Sequence, residues 1–581
     1  MNKRIIILAL LASSCMSFAQ RIVDPVPSKD QIKLQDMEMY AFLHYSLNTY
    51  TDQEWGFGNE DVKLFNPSSL DTRQWVRTCK AAGMKGVIFT AKHHCGFCMW
   101  PSEYTDYSVK SSPWKGGKGD VVRELADACK EYGLKFAVYL SPWDRNHPEY
   151  GKPEYVTYFR NQLRELLTNY GDVFEVWFDG ANGGNGWYGG ANETRRIDRL
   201  TYYDWGPTYD MIRELQPHCV IWNDGADRRG DLRWVGTEAG NIGHRNWSMM
   251  SSTKDPEWGD LHYGMEDGDV WCPGETNTSI RPGWFYHTTE DGSVKSLSKL
   301  MDTYYKSVGR NSTLLLNFPI MPNGLISPID SIRGTVFADM LHKVFDNDLA
   351  KGIKPKKEGD SIFVLNFKQP TTFNRFMACE DISRGQRVKG FRLEAFVDGT
   401  WIPLKDELAD WGDGLETIGR KRIICFPEVT ATRLRMIITK TKAKPIISKM
   451  GVFFAPELTA DIPNSGEKFS SKLNITMIGS NDSPSRSIMI DLGGTNKVKG
   501  FRYLPPQGQG AEGIITSYSF WTMENNEWKR ISEGEFSNIV NNPIWQSVSI
   551  APINSGLLRI DAESLNSGER AAYEDIEIIT E

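Results

Sequence analysis

Between residues 40 and 320 short apolar runs alternate with amphipathic helical stretches, and no other feature restricts the fold of this chain as much. Runs at 41–44, 86–91, 135–140, 173–178, 220–222, 234–238, 283–287 and 313–317 read as eight strands. Between several of them lie helical patterns at 70–82, 121–132, 155–170, 203–215 and 297–308, the first with Trp75, Val76 and Cys79 on one face. Strand and helix alternating eight times predict an α/β chain with a TIM-type (β/α)8-like barrel, some of whose helices are irregular or missing.

Past residue 350 the helical period fades and short alternating strands take over, at 361–367, 390–397, 422–426, 433–439 and 446–453. A linker at 456–471 separates them from a second set at 487–492, 499–503, 515–522, 545–549 and 556–562. Each set reads as a β-sandwich. Val388-Lys389-Gly390-Phe391-Arg392 is echoed by Val498-Lys499-Gly500-Phe501-Arg502, and the turns at Gly399-Thr400-Trp401 and Asn526-Glu527-Trp528 correspond, so two tandem copies of one fold are expected. The predicted organisation is a leader at 1–19, a barrel at 20–348, a sandwich at 349–457 and a second sandwich at 458–581.

The leader is read from Lys3 and Arg4, the apolar run 5–12 and Ser17-Phe18-Ala19, the order of a secretory signal peptide cleaved after Ala19. It predicts an exported protein, with the periplasm as the first-ranked location. Cys15 after Leu11-Ala12-Ser13-Ser14 resembles a lipoprotein box with its leucine one place too early, so a surface lipid anchor ranks second. No later apolar run is long enough to span a bilayer. A formal net charge of −7 without basic stripes offers nothing to nucleic acid, whereas 19 tryptophans suit a neutral ligand with C–H faces to stack on, such as a sugar. The eight cysteines that remain after cleavage are too sparse for a disulfide scaffold, and Cys95-x-x-Cys98 beside His93-His94 lacks the second pair of a metal site. No metal or cofactor is expected.

In a parallel barrel, residues at the carboxyl ends of strands face the mouth where substrates bind. The run Val-Trp-Phe-Asp-Gly at 176–180 ends a strand in Asp179, and the other predicted ends collect His44, His93, His94, Trp143, Asp144, Asn223, Asp224, Glu238, Trp284, His287 and Asn317. Polar groups around aromatic platforms suit a sugar pocket. Cleaving a glycosidic bond usually takes two carboxyl groups with different pKa values, about 5–5.5 Å apart in retaining enzymes. Asp179 is the candidate nucleophile, and Glu238, Asp224 and Glu275 compete for proton donor, although a cap or salt bridge suits Glu275 better. Spacing alone leaves the donor open.

Several ordered segments resemble the α-L-fucosidases of glycoside hydrolase family 29 over about residues 35–345. They are Met-Tyr-Ala-Phe-Leu-His-Tyr-Ser at 39–46, Glu54-Trp55, Gly-Val-Ile-Phe-Thr-Ala-Lys-His-His-Cys-Gly-Phe at 86–97, Val-Tyr-Leu-Ser-Pro-Trp-Asp-Arg-Asn at 138–146 and Trp-Phe-Asp-Gly-Ala-Asn-Gly at 177–183. Later ones are Arg-Trp-Val-Gly-Thr-Glu-Ala-Gly at 233–240, Ser-Ile-Arg-Pro-Gly-Trp-Phe-Tyr-His at 279–287 and Val-Gly-Arg-Asn-Ser-Thr-Leu-Leu-Leu-Asn at 308–317. Carried over residue by residue, the resemblance implies Asp179 as nucleophile and Glu238 as acid/base in a double displacement with retention. It implies a fucose pocket of His44, Glu54, Trp55, His93, His94 and Trp177, to which the strand ends add Trp143 and Trp284, with no cofactor and a fucosylated oligosaccharide as partner. Phe97, Trp100 and Trp222 are expected to be ordinary packing. The segments at 141–146 and 279–287 look like the branch selective for α-1,3/1,4-fucosides, which implies Lewis-type acceptors. The sandwiches resemble discoidin-like modules, and the last is a candidate carbohydrate-binding module.

Two other readings remain. One is another retaining barrel glycosidase, for instance galactoside-cleaving; the other is a fucose lectin on an inactive barrel, which intact acids at 179 and 238 speak against.

Overall fold

The computed structural model describes residues 22–180, 183–223, 230–458, 468–469, 473–478, 485–507, 510–536, 538–540 and 543–580. The leader, with Cys15, and Asp224 lie outside the described residues.

Eight parallel strands form the first unit: β1 Met39–Leu43, β2 Gly86–Lys92, β3 Lys135–Leu140, β4 Val173–Phe178, β5 Val220–Asn223, β6 Arg233–Trp234, β7 Gly274–Ser279 and β8 Thr313–Asn317. They pair in the order β5-β4-β3-β2-β1-β8-β7-β6, and a parallel bridge from Trp222 to Leu232 brings β5 back beside β6, so the barrel is nearly closed. Every residue of β1, β2 and β8 is buried, as strands covered on both faces require. Alternate residues split between two cores. Tyr40, Phe42, Tyr139, Trp177, Trp222 and Leu315 fill the barrel interior, while Ala41, Leu43, Val138, Val176 and Leu316 pack outward.

Aspartates start two of the outer helices. Asp71 caps Thr72–Ala81 and Asp120 caps Val121–Tyr132 by accepting backbone N–H bonds, and Gly133 ends the latter in the left-handed conformation (φ 76°). Helices Pro153–Asn169, Trp205–Leu215 and Leu297–Lys306 appear where the periodicity puts them; Lys29–Met37 and Pro328–Phe345 are additional. The stretch between β6 and β7 instead holds a short helix, Trp258–Tyr263, and a two-stranded pair, Met249–Met250 with Val270–Trp271.

Two strand expectations need correction. The seventh strand is Gly274–Ser279, not 283–287, because its polar side chains find partners inside the wall: Thr276 Oγ1 and Ser312 Oγ are 2.8 Å apart, and Asn317 Nδ2 donates to Ser279 Oγ at 2.9 Å. The sixth strand covers only Arg233–Trp234, so Glu238 sits in the loop beyond it.

Both C-terminal units are antiparallel sheets folded over their own cores, and they share one topology. Counting in each from the first long strand, that strand (Ile362–Glu380 or Ser487–Leu504) lies between the last (Ile447–Phe453 or Asp575–Thr580) and the fourth (Arg422–Thr441 or Gln546–Leu565), with short strands at Lys356–Glu358 and at Lys468–Phe469 and Asn474–Ile478 preceding it. A hairpin, Val388–Val397 with Thr400–Leu404 or Ile515–Glu524 with Glu527–Glu535, completes the other edge. The hairpins turn on Asp398-Gly399 (φ 46° and 84°) and Asn525-Asn526 (φ 52° and 65°), the paired left-handed residues that match strand twist. The tandem relation therefore holds, but the Val-Lys-Gly-Phe-Arg echo does not carry it. Residues 388–392 lie in the second strand of one copy and 498–502 in the first strand of the other. What the echo shares is a register shift at its glycine, between Val388 and Gly390 and between Val498 and Gly500.

The first sandwich is pinned to the barrel by polar contacts, among them Arg310 to Asp410 at 3.2 Å and Ser248 N donating to Gln386 Oε1 at 2.9 Å.

Candidate active site

The period-two alternation of β4 stacks Glu175, Trp177 and Asp179 as three inward layers, lowest to highest. In the lowest layer Glu275 accepts from Trp177 Nε1 at 2.7 Å and from the Tyr40 hydroxyl, and its charge raises the pKa of the equally buried Glu175 beside it. Burial raises both carboxyls. Glu275 is thus neither a mouth acid nor a loop cap but a buried part of the barrel floor.

In the middle layer Trp177 stacks on Trp222 with centroids 3.5 Å apart and on Tyr139 at 5.7 Å, forming a flat aromatic floor.

Asp179 opens the top layer. The Tyr139 hydroxyl donates to its Oδ2 at 3.2 Å, and His94 Nε2 lies 3.8 Å from the same oxygen. Gly180 follows with φ 76°, and a Cβ there would meet His94 Cε1 at 2.5 Å, so only glycine lets the chain turn this close to the imidazole. Burial raises the Asp179 pKa to about 6 against the Tyr139 and Gly180 hydrogen bonds, although 36% of the side-chain surface stays open to the cavity.

Three histidines line the same mouth, and burial keeps each of them neutral. It pushes His44 down to about 4 and His94 to about 3, with the charge of Arg145 assisting at His94, and holds His93 well below its ordinary value. Asn317 Oδ1 fixes His44 Nδ1 at 2.8 Å. The Ser141 hydroxyl donates to Trp143 O at 2.7 Å, so it accepts from His94 Nδ1–H, also at 2.7 Å, and His94 Nε2 faces Asp179 as an acceptor. Among the described residues, buried His93 Nδ1 finds no partner. Trp143, buried and donating to the Tyr188 hydroxyl at 2.9 Å, and Trp55, 54% exposed, form an aromatic lip beside His94.

Glu54 acts from beneath. It accepts from the backbone N–H groups of Trp284 (2.9 Å) and Phe285 (3.1 Å) and pairs with His287 Nε2 at 2.8 Å. Burial works against protonating His287, but the hydrogen bonds its ring nitrogens donate to Asp52 and Glu54 overcome it and hold its pKa well above normal. This ionic seam orients the 284–287 segment, which presents Trp284 to the mouth over His44, with ring centroids 5.2 Å apart.

Glu238 faces this segment. Its Oε2 accepts from Trp284 Nε1 at 3.0 Å and from Asn538 Nδ2 at 2.6 Å. Burial raises its pKa to about 7; Asn538 and Trp284 lower it, while the charges of Asp179 and Glu54 raise it. Asp179 and Glu238 therefore lie within electrostatic reach of each other.

Other residues read as mouth groups have structural roles. Lys92 Nζ pairs with Asp144 at 3.2 Å in the core, Asn223 donates to Tyr209, and Asn317 braces His44 and Trp284 O. Phe97, Trp100 and Trp222 are packed away as expected. Cys95 and Cys98 are buried, Cys98 Sγ accepting from Gln162 Nε2 at 3.2 Å. Tyr139 and Asn538 were not among the expected site residues. A cavity of about 290 Å³ at the opposite end of the strands, lined by Met39, Tyr304, Phe345 and Lys421, lies away from both acids.

A parallel barrel that presents two carboxyls with separated pKa values, among neutral imidazoles and indoles, is built as a glycoside hydrolase. Residues 26–342 match the α-L-fucosidase domain family, and residues 474–576 match the F5/8 type C domain, a discoidin-like sandwich. The crystal structure of a glycoside hydrolase 29 family member from an unknown rumen bacterium is 64% identical, with a TM-score of 0.77 over 97% of this chain and 100% of that one. Alpha-L-fucosidase 1 of Arabidopsis thaliana is 38% identical over 467 residues, 74% of this chain and 87% of its own length. A Ruminococcus gnavus family 29 fucosidase crystallised with fucose is 30% identical, with a TM-score of 0.66 over 76% of this chain and 97% of that one. The chain belongs to the α-L-fucosidases of glycoside hydrolase family 29.

Proposed function

We propose that this α-L-fucosidase releases terminal fucose from α-1,3/1,4-fucosylated, Lewis-type glycans by double displacement with retention. Asp179 attacks C1 while Glu238 gives its proton to the departing glycosidic oxygen, so the C1–O bond breaks as an Asp179–C1 ester forms. Glu238 then takes a proton from water as the water oxygen displaces Asp179, and fucose leaves as the α anomer. The observation that carries this reading is the pair of interacting carboxyls at the mouth, Asp179 held by Tyr139 and Glu238 held by Trp284 and Asn538, with burial raising the first to about 6 and the second to about 7. The lower one suits an ionised nucleophile and the higher one a protonated acid.

His44 and His94, kept neutral with their Nδ1–H groups committed to Asn317 and Ser141, turn Nε2 to the sugar hydroxyls as acceptors, and neutral His93 adds its own ring nitrogens. Trp55, Trp143, Trp177 and Trp284 enclose its C–H face and methyl group, and Glu54 holds Trp284 in place. The linkage preference rests on the 141–146 and 279–287 segments, whose Trp143 packs on His94 beside Asp179 and whose Trp284 donates to Glu238. The leader pattern supports export to the periplasm, and the discoidin-like module supports glycan binding by the last domain.

Trapping with 2-deoxy-2-fluoro-fucosyl fluoride tests the chemistry. Mass spectrometry is expected to find the adduct on the peptide carrying Asp179, and NMR of the first product is expected to detect the α anomer. An adduct elsewhere, or a β product, removes the mechanism. A panel of Lewis trisaccharides, α-1,2-fucosylated glycans and aryl fucosides tests the linkage, with fastest turnover expected on the Lewis set.

A further inference from the structure

Asn538 belongs to the last sandwich, 300 residues from the acid it touches. It occupies a turn between the strands Glu527–Glu535 and Gln546–Leu565, with φ 49°, a left-handed conformation that asparagine tolerates and most residues resist. The turn is not a loose tip. Ile539 is buried in the sandwich core, and Phe536 stacks on Tyr503 (5.1 Å) and Tyr518 (4.7 Å), so Asn538 stands on an anchored platform. The same sandwich meets the mouth elsewhere. Strand Gln546–Leu565 runs beside the 288–293 turn that follows the pocket segment, and Tyr518 feels the charge of Asp52, the partner of His287.

The direction of the contact matters. Asn538 Nδ2 and Trp284 Nε1 both donate to Oε2 of Glu238, which commits that oxygen as an acceptor and leaves Oε1 as the one able to carry a proton towards a leaving group. One donor comes from the barrel and the other from the discoidin-like domain.

We propose that the last sandwich is a structural part of the catalytic centre: Asn538 is a positioning residue that, with Trp284, fixes which oxygen of Glu238 delivers the proton and steadies the carboxylate once the proton has gone. This rests on Glu238 being the acid/base. Among the described residues, the charged and titratable groups facing Glu238 are Asp179 at the end of β4 and Glu54 from the loop after β1; Trp284 and Asn538 face it as neutral donors. Losing Asn538 removes a bond that favours the ionised form, so the Glu238 pKa rises and the alkaline limb of kcat/KM moves to higher pH.

The test uses the full chain with Asn538→Gly, which suits the left-handed turn, and Asn538→Asp, which keeps the turn but sets a second negative charge beside Glu238. With a fucosylated disaccharide, the alkaline limb is expected to move up by about half to one pH unit in Asn538→Gly, the size of one hydrogen bond, and further in Asn538→Asp. Turnover of an aryl fucoside with a strongly acidic phenol, which departs without proton assistance, is expected to fall several-fold less than turnover of the disaccharide. A role confined to docking the domain would lower both substrates equally and leave the limb in place, and that result overturns the proposal. Glu238→Gln is run alongside. If it destroys disaccharide turnover while both Asn538 variants keep the wild-type profile, Asn538 alone is wrongly assigned; if it retains disaccharide turnover, the reading of Glu238 itself fails.

Discussion

Tyr139→Phe probes the nucleophile's pKa while changing almost nothing else. The hydroxyl donates to Asp179 Oδ2 at 3.2 Å, and that bond is stronger when the carboxyl is ionised, so it lowers the Asp179 pKa. A net hydrogen bond of about 0.5–1.5 kcal/mol, divided by about 1.4 kcal/mol per pKa unit, gives a rise of roughly 0.4–1.1 units on its loss. Because 36% of the Asp179 side chain is open to solvent, the lower part of that range applies, about half a unit. Asp179 must be ionised to attack, so the acid limb of kcat/KM shifts from near pH 6 to about pH 6.5 while the alkaline limb, set by Glu238 near 7, stays in place. The correctly ionised fraction at the optimum falls only from roughly 60% to roughly 50%, so a single-pH assay would miss the effect and a full profile on purified enzyme is needed. The phenyl ring keeps its stacking on His93 and Trp177, with centroids 5.7 Å away in both cases, so the melting temperature is expected to hold. An acid limb that stays put, or moves to lower pH, refutes the claim that Tyr139 tunes this carboxyl.

Other substitutions separate chemistry from architecture. Gly180→Ala forces φ 76° on a side chain whose Cβ would meet His94 at 2.5 Å; it is expected to cost roughly 2–5 kcal/mol in denaturant unfolding and kcat by about 100-fold or more, and wild-type kinetics would refute the steric argument. Glu54→Ala strips a carboxylate from protonated His287 and from two backbone N–H groups, so KM is expected to rise about tenfold or more, and an unchanged KM would show that the 284–287 segment does not depend on the seam. Glu175 stays protonated in the fold because burial and the Glu275 charge raise its pKa, whereas in the unfolded chain it ionises in the usual range. As pH rises past that range the unfolded state sheds a proton that the native state keeps, so native stability falls by about 1.4 kcal/mol per pH unit while the native carboxyl holds its proton. Glu175→Gln removes this penalty: denaturant titrations are expected to find the variant more stable than wild type at pH 7 and nearly equal at pH 4, and a gap that does not grow with pH would sink the idea.

The barrel was legible because most of its strands are continuous apolar runs, buried on both faces and punctuated by a polar residue at the mouth. Val173–Phe178 followed by Asp179 is the clearest case. The rule failed at Gly-Glu-Thr-Asn-Thr-Ser, 274–279, where a wall strand is polar because its side chains bond across to Tyr40, Trp177, Ser312 and Asn317. The next apolar run, 283–287, is a pocket segment of irregular backbone. Polar residues at the strand ends divide between two roles for a related reason. Strand ends mark position, but whether a polar residue faces substrate or braces a neighbour depends on partners far away in the chain, as Asp144 with Lys92 and Asn317 with His44 illustrate.

The same limit applies more sharply to the two acids. Their identities were open to a reading of the strand ends and of the family resemblance, yet nothing local separates a carboxyl poised near 6 from one poised near 7. The order is set by Tyr139 and the Gly180 N–H bonding to Asp179, and at Glu238 by burial and the Asp179 charge outweighing Trp284 and Asn538. Those donors come from β3, from the segments after β4 and β7, and from a domain beyond the barrel. Exchanging the balance, by weakening the donors to Asp179 while adding one to Glu238, would bring the two pKa values together and narrow the pH range over which one acid is ionised and the other protonated. Division of labour between two chemically similar carboxyls is therefore a property of the assembled fold, and the residues that enforce it lie where no sequence motif points.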